Sequence, residues 1–552
     1  MEHELIQCIT QSQHIDDRRS VAAQTIAPED WALITGLGDR ELTRRAVLVG
    51  STALLGMTTL GACGRSPDDS PGSTKPTRGG RLRAAFAGSG PQEVLDPHRT
   101  NFYADVARSK ALYDKLVDFG DDLTPQPRLA SDWTSNHDST EWVVRLRKAN
   151  WHNGKPFRAA DVLYTYSRIL DPGSGLRPRS SMTMIDMAHT AALDDHTIRF
   201  ALNRPYSEFP SALAAFGAYI IPEGTRAFSH PIGTGPFRFS SFTAGRSFLA
   251  SRFEEYFDGA AFIDELEILI APEEAARINA LVSQQVDYAD DLTPSSARTH
   301  ERTPNVSIVR SPRSGISGFA MKTDRPPFDD IRLRQAMYAL LDRSQLLSSV
   351  VNDFGELGND LFGKGYQYYP ESLPQREADI DTARELVKKT GAHGKTIVLD
   401  TTSATNGFLE AANLLREQAD AAGLDIRVNN GDPATYWSRT VDEGVLSSFR
   451  SGAMPIESNI AQRFLSDSTK NYTQWKRPEF DALYREATTA SDPAVRTQAY
   501  HRMQSQLFEE GGLLVWGVLD GLTGVSGRLQ DLSRTAPTNT LDYARFDKAW
   551  LR

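Results

Sequence analysis

His152 and Asn153 lie in the stretch RLRKANWHNGKPFRAADVLYTYSRIL, Arg145 to Leu170, where an imidazole beside a turn has the makings of a general base. Such chemistry needs partners at fixed spacing, and the chain does not supply them. No His-Glu-x-x-His zinc helix occurs. GISGF, from Gly315 to Phe319, fails as a Gly-x-Ser-x-Gly nucleophile elbow at its last position. GAHGKT, from Gly391 to Thr396, leaves two residues between its glycines where a P-loop needs four, and reads as a helix C-cap entering a strand. The eleven histidines include no pair at ligand spacing, and the carboxylates show no signature spacing. Asn153-Gly154 marks a tight turn after His152, so a hydrogen-bonding role there outweighs catalysis. The expectation is a protein with no catalytic residue, no metal site and no cofactor.

The elements around these residues alternate between strand and helix from Arg81 onward, which predicts an α/β protein. RLRAAFAG reads as a first strand, and LDPHRTNFYADVARSKALYDKLVDF as a turn followed by a helix. Trp142, Val144 and Leu146 alternate along the strand before His152. Val162, Tyr166 and Ile169 share one face of the helix after it. EEAARINALVSQQVDYA and DDIRLRQAMYALLDRSQLLSSVV each read as one helix, and DTARELVKKTG as a helix closed by Gly391. TIVLDTT, NGFLEAANLLREQADAAG and LDIRVNN form a strand–helix–strand unit that predicts a parallel crossover.

The length of 552 residues implies two or three domains, and 40% hydrophobic with 24% charged residues is ordinary globular composition. A net charge of −10 without a Lys/Arg run argues against nucleic acid as a partner. Two cysteines, Cys8 and Cys63, leave no disulfide framework. The first segment accounts for one of them. Arg44-Arg45 precede an uncharged run from Ala46 to Ala62 that ends in Leu60-Gly61-Ala62-Cys63. That run is short and weakly apolar for a bilayer span. It resembles a twin-arginine export signal joined to a lipobox, with residues 1–62 removed and Cys63 lipidated. Residues 63–78, rich in Gly, Pro and Ser, read as a flexible tether.

A longer resemblance runs through the rest of the chain in order. RGGRLRAAF, LDPHRT, the block from LYDKLVDF to YTYSRIL, PIGTGPFRF, RFEEYFDGAAFIDELEI, INALVSQQVDYA, FDDIRLRQAMYALLDR and DTARELVKKTG are similar to landmarks of the family 5 extracellular solute-binding proteins of ABC importers. The resemblance implies a type II periplasmic-binding-protein-like α/β fold of cluster C. Two lobes with an extra domain would close about a hinge as a clamp. Its domain I would comprise 79–113, 229–318 and 512–552, domain II 114–228 and domain III 319–511. The block around His152 then belongs to scaffold in domain II, with Asp161 in the first turn of the following helix. The implied protein is exported, lipid-anchored on the outer face of the cytoplasmic membrane and monomeric. It would hand a small solute, oligopeptide-like first of all, to ABC permease subunits. A stand-alone sensor of the same fold, or a receptor for a sugar, opine or metal chelate, stays open.

Peptide-binding members of the family hold the ligand's α-ammonium with an aspartate in a stretch like Trp-x-x-Asp-x-x-Asp-Pro. The corresponding stretch here is SSFRSGAMPIESN, with Phe449 in place of the Trp and Gly452 in place of the Asp. Glu457, five residues on, is the available substitute. Arg450, in an otherwise small and apolar stretch, is the candidate contact for a carboxylate or phosphate. Asn101, Phe102 and Tyr103, after LDPHRT, and Asn359, Asp360, Phe362 and Tyr366, in GNDLFGKGYQYY, complete the candidate ligand site. Taken singly, each aromatic is more often core than ligand wall.

Overall fold

Leu82, Ala84 and Phe86 alternate inward along the strand Arg81–Phe86, and that strand becomes an inner member of the main sheet. The computed structural model describes residues 75–552 except 89, 100, 101, 404 and 533–544. The leader, Cys63 and Asn101 therefore lie outside the described residues. The main sheet has eleven strands. Its order runs Asp425–Asn430, Thr396–Thr401, Leu446–Gly452, Val306–Met321, Leu513–Ser526, Tyr288–Ala289, Arg81–Phe86, Glu265–Ile270, Ser247–Arg252 and Phe237–Thr243. Gly355–Leu357 pairs with Leu513–Ser526 off that path.

Two strands carry the sheet from one half to the other. Val306–Met321 and Leu513–Ser526 pair antiparallel from Val306↔Ser526 to Ala320↔Leu513. Their register breaks between Ser311 and Gly315 and again between Ser317 and Gly318. Arg313, inside the first break, has φ +58°, a left-handed conformation that bends the strand. Gly318 passes so close to its partner that a Cβ there would meet the Leu514 carbonyl oxygen at 2.4 Å. The crossing is therefore tight in the middle and bulged beside it.

Each half has its own core. One gathers Leu82, Phe86, Phe237, Phe248, Leu266 and Tyr288. The other half is covered on both faces, by one cluster that includes Phe319, Leu399, Leu446 and Trp516 and a second that includes Phe449, Trp475, Tyr500 and Val515. The expected parallel crossover is present: Thr396–Thr401 pairs in parallel with Asp425–Asn430 through the helix Phe408–Ala421.

A smaller four-stranded antiparallel sheet, with the strands Ala130–Ser135, Glu141–Leu146, Thr197–Ala201 and Ala191–Asp194, packs under the helix Ala159–Leu170. Val162, Tyr166 and Ile169 are fully buried there, as their shared helical face predicts. Asp161 holds the start of that helix. Its carboxylate accepts from the Arg158 backbone N–H at 2.9 Å, the Trp151 indole at 3.2 Å and the Glu223 N–H at 2.8 Å.

Two predicted helices differ from the structure. DDIRLRQAMYALLDRSQLLSSVV is two helices, Ile331–Leu340 and Arg343–Val351. Asp342 makes the break by capping the second, its carboxylate accepting from Gln345 N–H at 2.9 Å. EEAARINALVSQQVDYA is helical over Glu274–Val282. Gln284 then turns left-handed at φ +60°, and Tyr288–Ala289 joins the main sheet between Arg81–Phe86 and Leu513–Ser526. Gly391 ends its helix as expected, at φ +64°.

Candidate ligand-binding site

The carboxyl ends of parallel strands are where open α/β sheets take up ligands. Leu446–Gly452 ends at such an edge. It runs parallel to Thr396–Thr401 on one side and antiparallel to the crossing strand Val306–Met321 on the other, with Arg450 opposite Ser317 and Gly452 opposite Gly315. Gly452 is exposed, and a Cβ built on it would meet nothing within 4 Å. Gly452 thus opens on free space. Arg450 is exposed as well.

Phe449 points the other way. It is buried against Tyr472, their rings 5.5 Å apart, and Tyr472 meets Trp437 at 6.0 Å. The helix Ile456–Arg463 brings the Arg463 guanidinium over the Phe449 ring at 5.3 Å. The row is fixed from behind by Lys322. Its ammonium donates to the Thr440, Val441 and Tyr472 carbonyls at 2.6, 2.5 and 2.6 Å, one proton to each oxygen. Burial pulls the Lys322 pKa down to about 8.

Glu457 is engaged elsewhere. It lies buried in the first turn of Ile456–Arg463 and accepts from the Tyr206 hydroxyl at 2.6 Å and the Tyr484 hydroxyl at 2.5 Å. Burial, reinforced by the Glu457 charge, holds both phenols well above their ordinary range, so they remain donors. Next to it, Ser207 N–H donates to Thr488 O at 2.7 Å, and Glu208 accepts from Tyr368 at 2.8 Å and Arg496 at 3.4 Å. Tyr206 to Glu208 therefore fasten the small lobe to the helices beside Glu457.

The other candidates separate along similar lines. Asn359 spans its own loop, donating to Pro374 O at 3.0 Å and accepting from Arg376 N–H at 2.9 Å. Asp360 is buried against Arg343 at 2.6 Å and accepts from Val515 N–H at 3.0 Å. Phe362 and Tyr366 pack edge to face at 6.1 Å, and the Tyr366 hydroxyl donates to the Arg313 carbonyl. Gly365 is needed there: its φ is +78°, and a Cβ would strike the Arg313 guanidinium at 2.2 Å. This loop lies against the bulge of the crossing strand. Phe102 is 47% exposed ahead of the helix Tyr103–Leu112, and Tyr103 packs half-buried on the first core. Phe102, Arg450 and Gly452 are thus open, while Asn359, Asp360, Phe362, Tyr366, Phe449 and Glu457 are built into packing or hydrogen bonds.

His152 is likewise built in. Its Nε2 donates to Gly235 O at 2.9 Å, and its Nδ1 accepts from Gly233 N–H at 3.2 Å, which fixes a neutral ring. Burial draws its pKa down to about 4. His98 has the same character: buried, with Nε2 on Tyr219 O at 2.8 Å and a pKa drawn down to about 4. Among the described residues no cluster of three His, Cys, Asp or Glu side chains is arranged to hold a metal.

The family model for the bacterial extracellular solute-binding proteins, family 5 (middle), matches residues 124–472. This chain belongs to that family. The family 5 chain is 24% identical over 516 residues to di/tripeptide-binding protein 2 of Pseudomonas aeruginosa (strain UCBPP-PA14), covering 82% of this chain and 92% of that one. Its fold is shared by the ABC transporter substrate-binding protein CtaP of Listeria monocytogenes. There the TM-score is 0.78 at 22% identity, over 86% of this chain and all of the other. It is shared too by AgaA of A. tumefacien R10, solved with agropinic acid, with a TM-score of 0.69 at 21% identity over 86% and 99% of the two chains.

The sequence does not single out Arg463, Trp437, Tyr472 or Tyr206. An arginine closing a helix reads there as a dipole partner, and a tyrosine after Pro205 as core.

Proposed function

We propose that this family 5 chain is the solute-capturing receptor of an ABC importer, lipid-tethered through Cys63, and that it passes a peptide-like solute to its permease by closing two lobes. The observation that carries this reading is the pair of crossing strands. A sheet that continues from lobe to lobe through two bulged strands lets the lobes rotate while both cores stay intact. Solute binding energy then favours the closed form, whose shape a permease can read. The di/tripeptide-binding relative supports the peptide class. Catalysis is not part of this reading. Residues 79–318 and 512–552, less 114–228, would form one lobe with 114–228 as its extension, and 319–511 the other, with the monomer as the working unit.

One observation favours a second solute class. Glu457, the acidic side chain of the stretch from Leu446 to Arg463, is occupied by Tyr206 and Tyr484. A solute that brings no ammonium, such as a sugar, is then served as well as a peptide. Native mass spectrometry of the gently purified full chain decides between them. A ladder of peptide masses supports the peptide class. A single non-peptide mass, or a protein that stays empty in a peptide mixture, removes it.

A further inference from the structure

Residues 114–228 are joined to the chain at their two ends, and both joints lead into segments that build the first core. Neither joint leads into residues 319–511. The contacts follow the same division. Toward the first core the small lobe is held by backbone and by ion pairs. His152 N–H donates to Gly233 O at 2.9 Å, Arg168 donates to the two oxygens of Asp96 at 3.1 and 2.6 Å, and Arg128 reaches Tyr256 at 2.6 Å and Asp258 at 3.2 Å. Toward residues 319–511 the small lobe reaches with two loop tips. One is Leu123, in the turn between the paired strands Val117–Phe119 and Pro125–Pro127, which packs into the cluster around Phe449 and Trp475. The other is Tyr206-Ser207-Glu208.

The second tip is almost wholly polar where it crosses. The Tyr206 ring belongs to the small lobe's own core, and its hydroxyl reaches over to Glu457, beside that of Tyr484. Ser207 sends its N–H and its hydroxyl to the same Thr488 carbonyl, at 2.7 and 3.0 Å. Glu208 accepts from the Tyr368 hydroxyl at 2.8 Å and the Arg496 guanidinium at 3.4 Å. Burying such groups opposes their hydration, and burial accordingly holds the Glu208 carboxyl above its usual range, with the Glu457 charge adding to the rise and Arg496 opposing it. Apart, each of these groups is hydrated; together, each finds a protein partner. The exchange is close to balanced, which suits a contact made and broken in turn, whereas two apolar faces would stay together.

We propose that Tyr206, Ser207 and Glu208 are the latch of the clamp: the small lobe travels with the first lobe, and this tip leaves Glu457, Thr488 and Tyr368 each time the lobes part. The inference rests on the two-lobe reading above and adds to it the contact that sets how far the solute-free chain leans towards closure. The described form is the latched one. Weakening the latch lowers the apparent affinity for any solute without touching the solute itself, because less of the chain reaches the closed form.

Tyr206→Phe and Tyr368→Phe test the latch from its two sides, each removing one hydroxyl and keeping the ring. Two measurements are made on the full chain freed of solute. Small-angle X-ray scattering reads the radius of gyration, and hydrogen exchange compares residues 206–213 with the strands Glu141–Leu146 and Thr197–Ala201 of the small lobe. Each variant is expected to enlarge the radius and to speed exchange over 206–213 about tenfold, the equivalent of one hydrogen bond to a charged group. The two strands should exchange as in the wild type. Faster exchange in those strands as well makes the tip a part of the small lobe's own fold and overturns the inference, as does unchanged exchange over 206–213 in both variants. Faster exchange there at an unchanged radius overturns it together with the clamp, since the tip would come loose from lobes that do not move. If the variants change nothing while a tripeptide mixture shrinks the wild-type chain, the latch falls and the clamp stands.

Discussion

His152 and Arg463 each rest against an aromatic ring, Phe253 at 5.1 Å and Phe449 at 5.3 Å, and the likeness ends there. Every polar atom of the imidazole has a partner on the facing Gly233–Gly235 segment, so the ring works as a strap between the small lobe and the first core. The half-buried Arg463 guanidinium has no ion-pair partner among the described residues, and its Nε is buried without a hydrogen bond. Buried polar groups in a scaffold are mostly satisfied, because leaving one unsatisfied costs about 1–3 kcal/mol, and the Tyr166 hydroxyl, the Trp142 indole and the Arg238 Nε are exceptions within the frame itself. The comparison shows that residue type alone does not tell a strap from a loosely held group, since histidine is the commoner catalytic group of the two and here it is the one fully tied down.

Breaking the strap should give the largest effect. Gly233 lies across the end of the helix Tyr103–Leu112 so closely that a Cβ there would sit 1.7 Å from the Leu112 carbonyl oxygen. The nearest obstruction is backbone, with the Tyr113 ring beside it, and neither can turn aside. Gly233→Ala is expected to cost upwards of about 4 kcal/mol, at the extreme of single-substitution effects, and to pull Gly233 away from His152. Denaturant unfolding measures it. A loss below about 1 kcal/mol would show that the strap is looser than its distances say.

Acid should loosen the same region by a smaller step. His98 and His152 have pKa values drawn from the ordinary 6.5 down to about 4, so the unfolded chain takes up protons before the folded one does. Stability from each is fully present above pH 6.5 and is lost as the pH falls towards 4. The loss amounts to about 3 kcal/mol per histidine, at 1.36 kcal/mol per pKa unit. Melting curves from pH 7 to pH 4 check the slope, and His152→Gln should flatten it by roughly half.

Much of this frame is legible in the sequence because its rules are local. Alternation places Leu82, Ala84 and Phe86, helical spacing places Val162, Tyr166 and Ile169, and Asn153-Gly154 argues against a catalytic His152. The break at Asp342 is legible too once the residue is read as an N-cap instead of a mid-helix acid. The candidate site is less legible because its outcome depends on distant partners. Nothing near Glu457 in sequence announces Tyr206, 251 positions away, as the group that occupies it. Nor does the helix end at Arg463 announce Phe449 beneath it. Spacing finds groups that act on their neighbours, and a cleft between lobes is assembled from groups that do not.

The smallest effect on stability should come from the site side, and it carries the most about function. Gly452 has open space where a Cβ would go and is exposed, with no left-handed φ to hold it as glycine. Gly452→Asp is therefore expected to change stability by less than about 0.5 kcal/mol, as exposed substitutions usually do. It places a carboxylate at the open end of Leu446–Gly452, where the family resemblance would put an amine-binding aspartate. The variant should then gain dependence on a free α-ammonium, with a pool of tripeptides bearing free termini binding more tightly than the same pool N-acetylated. Titration calorimetry with both pools reads that preference directly. If the variant folds and shows no preference, the edge of Leu446–Gly452 lies outside the reach of the solute's amine.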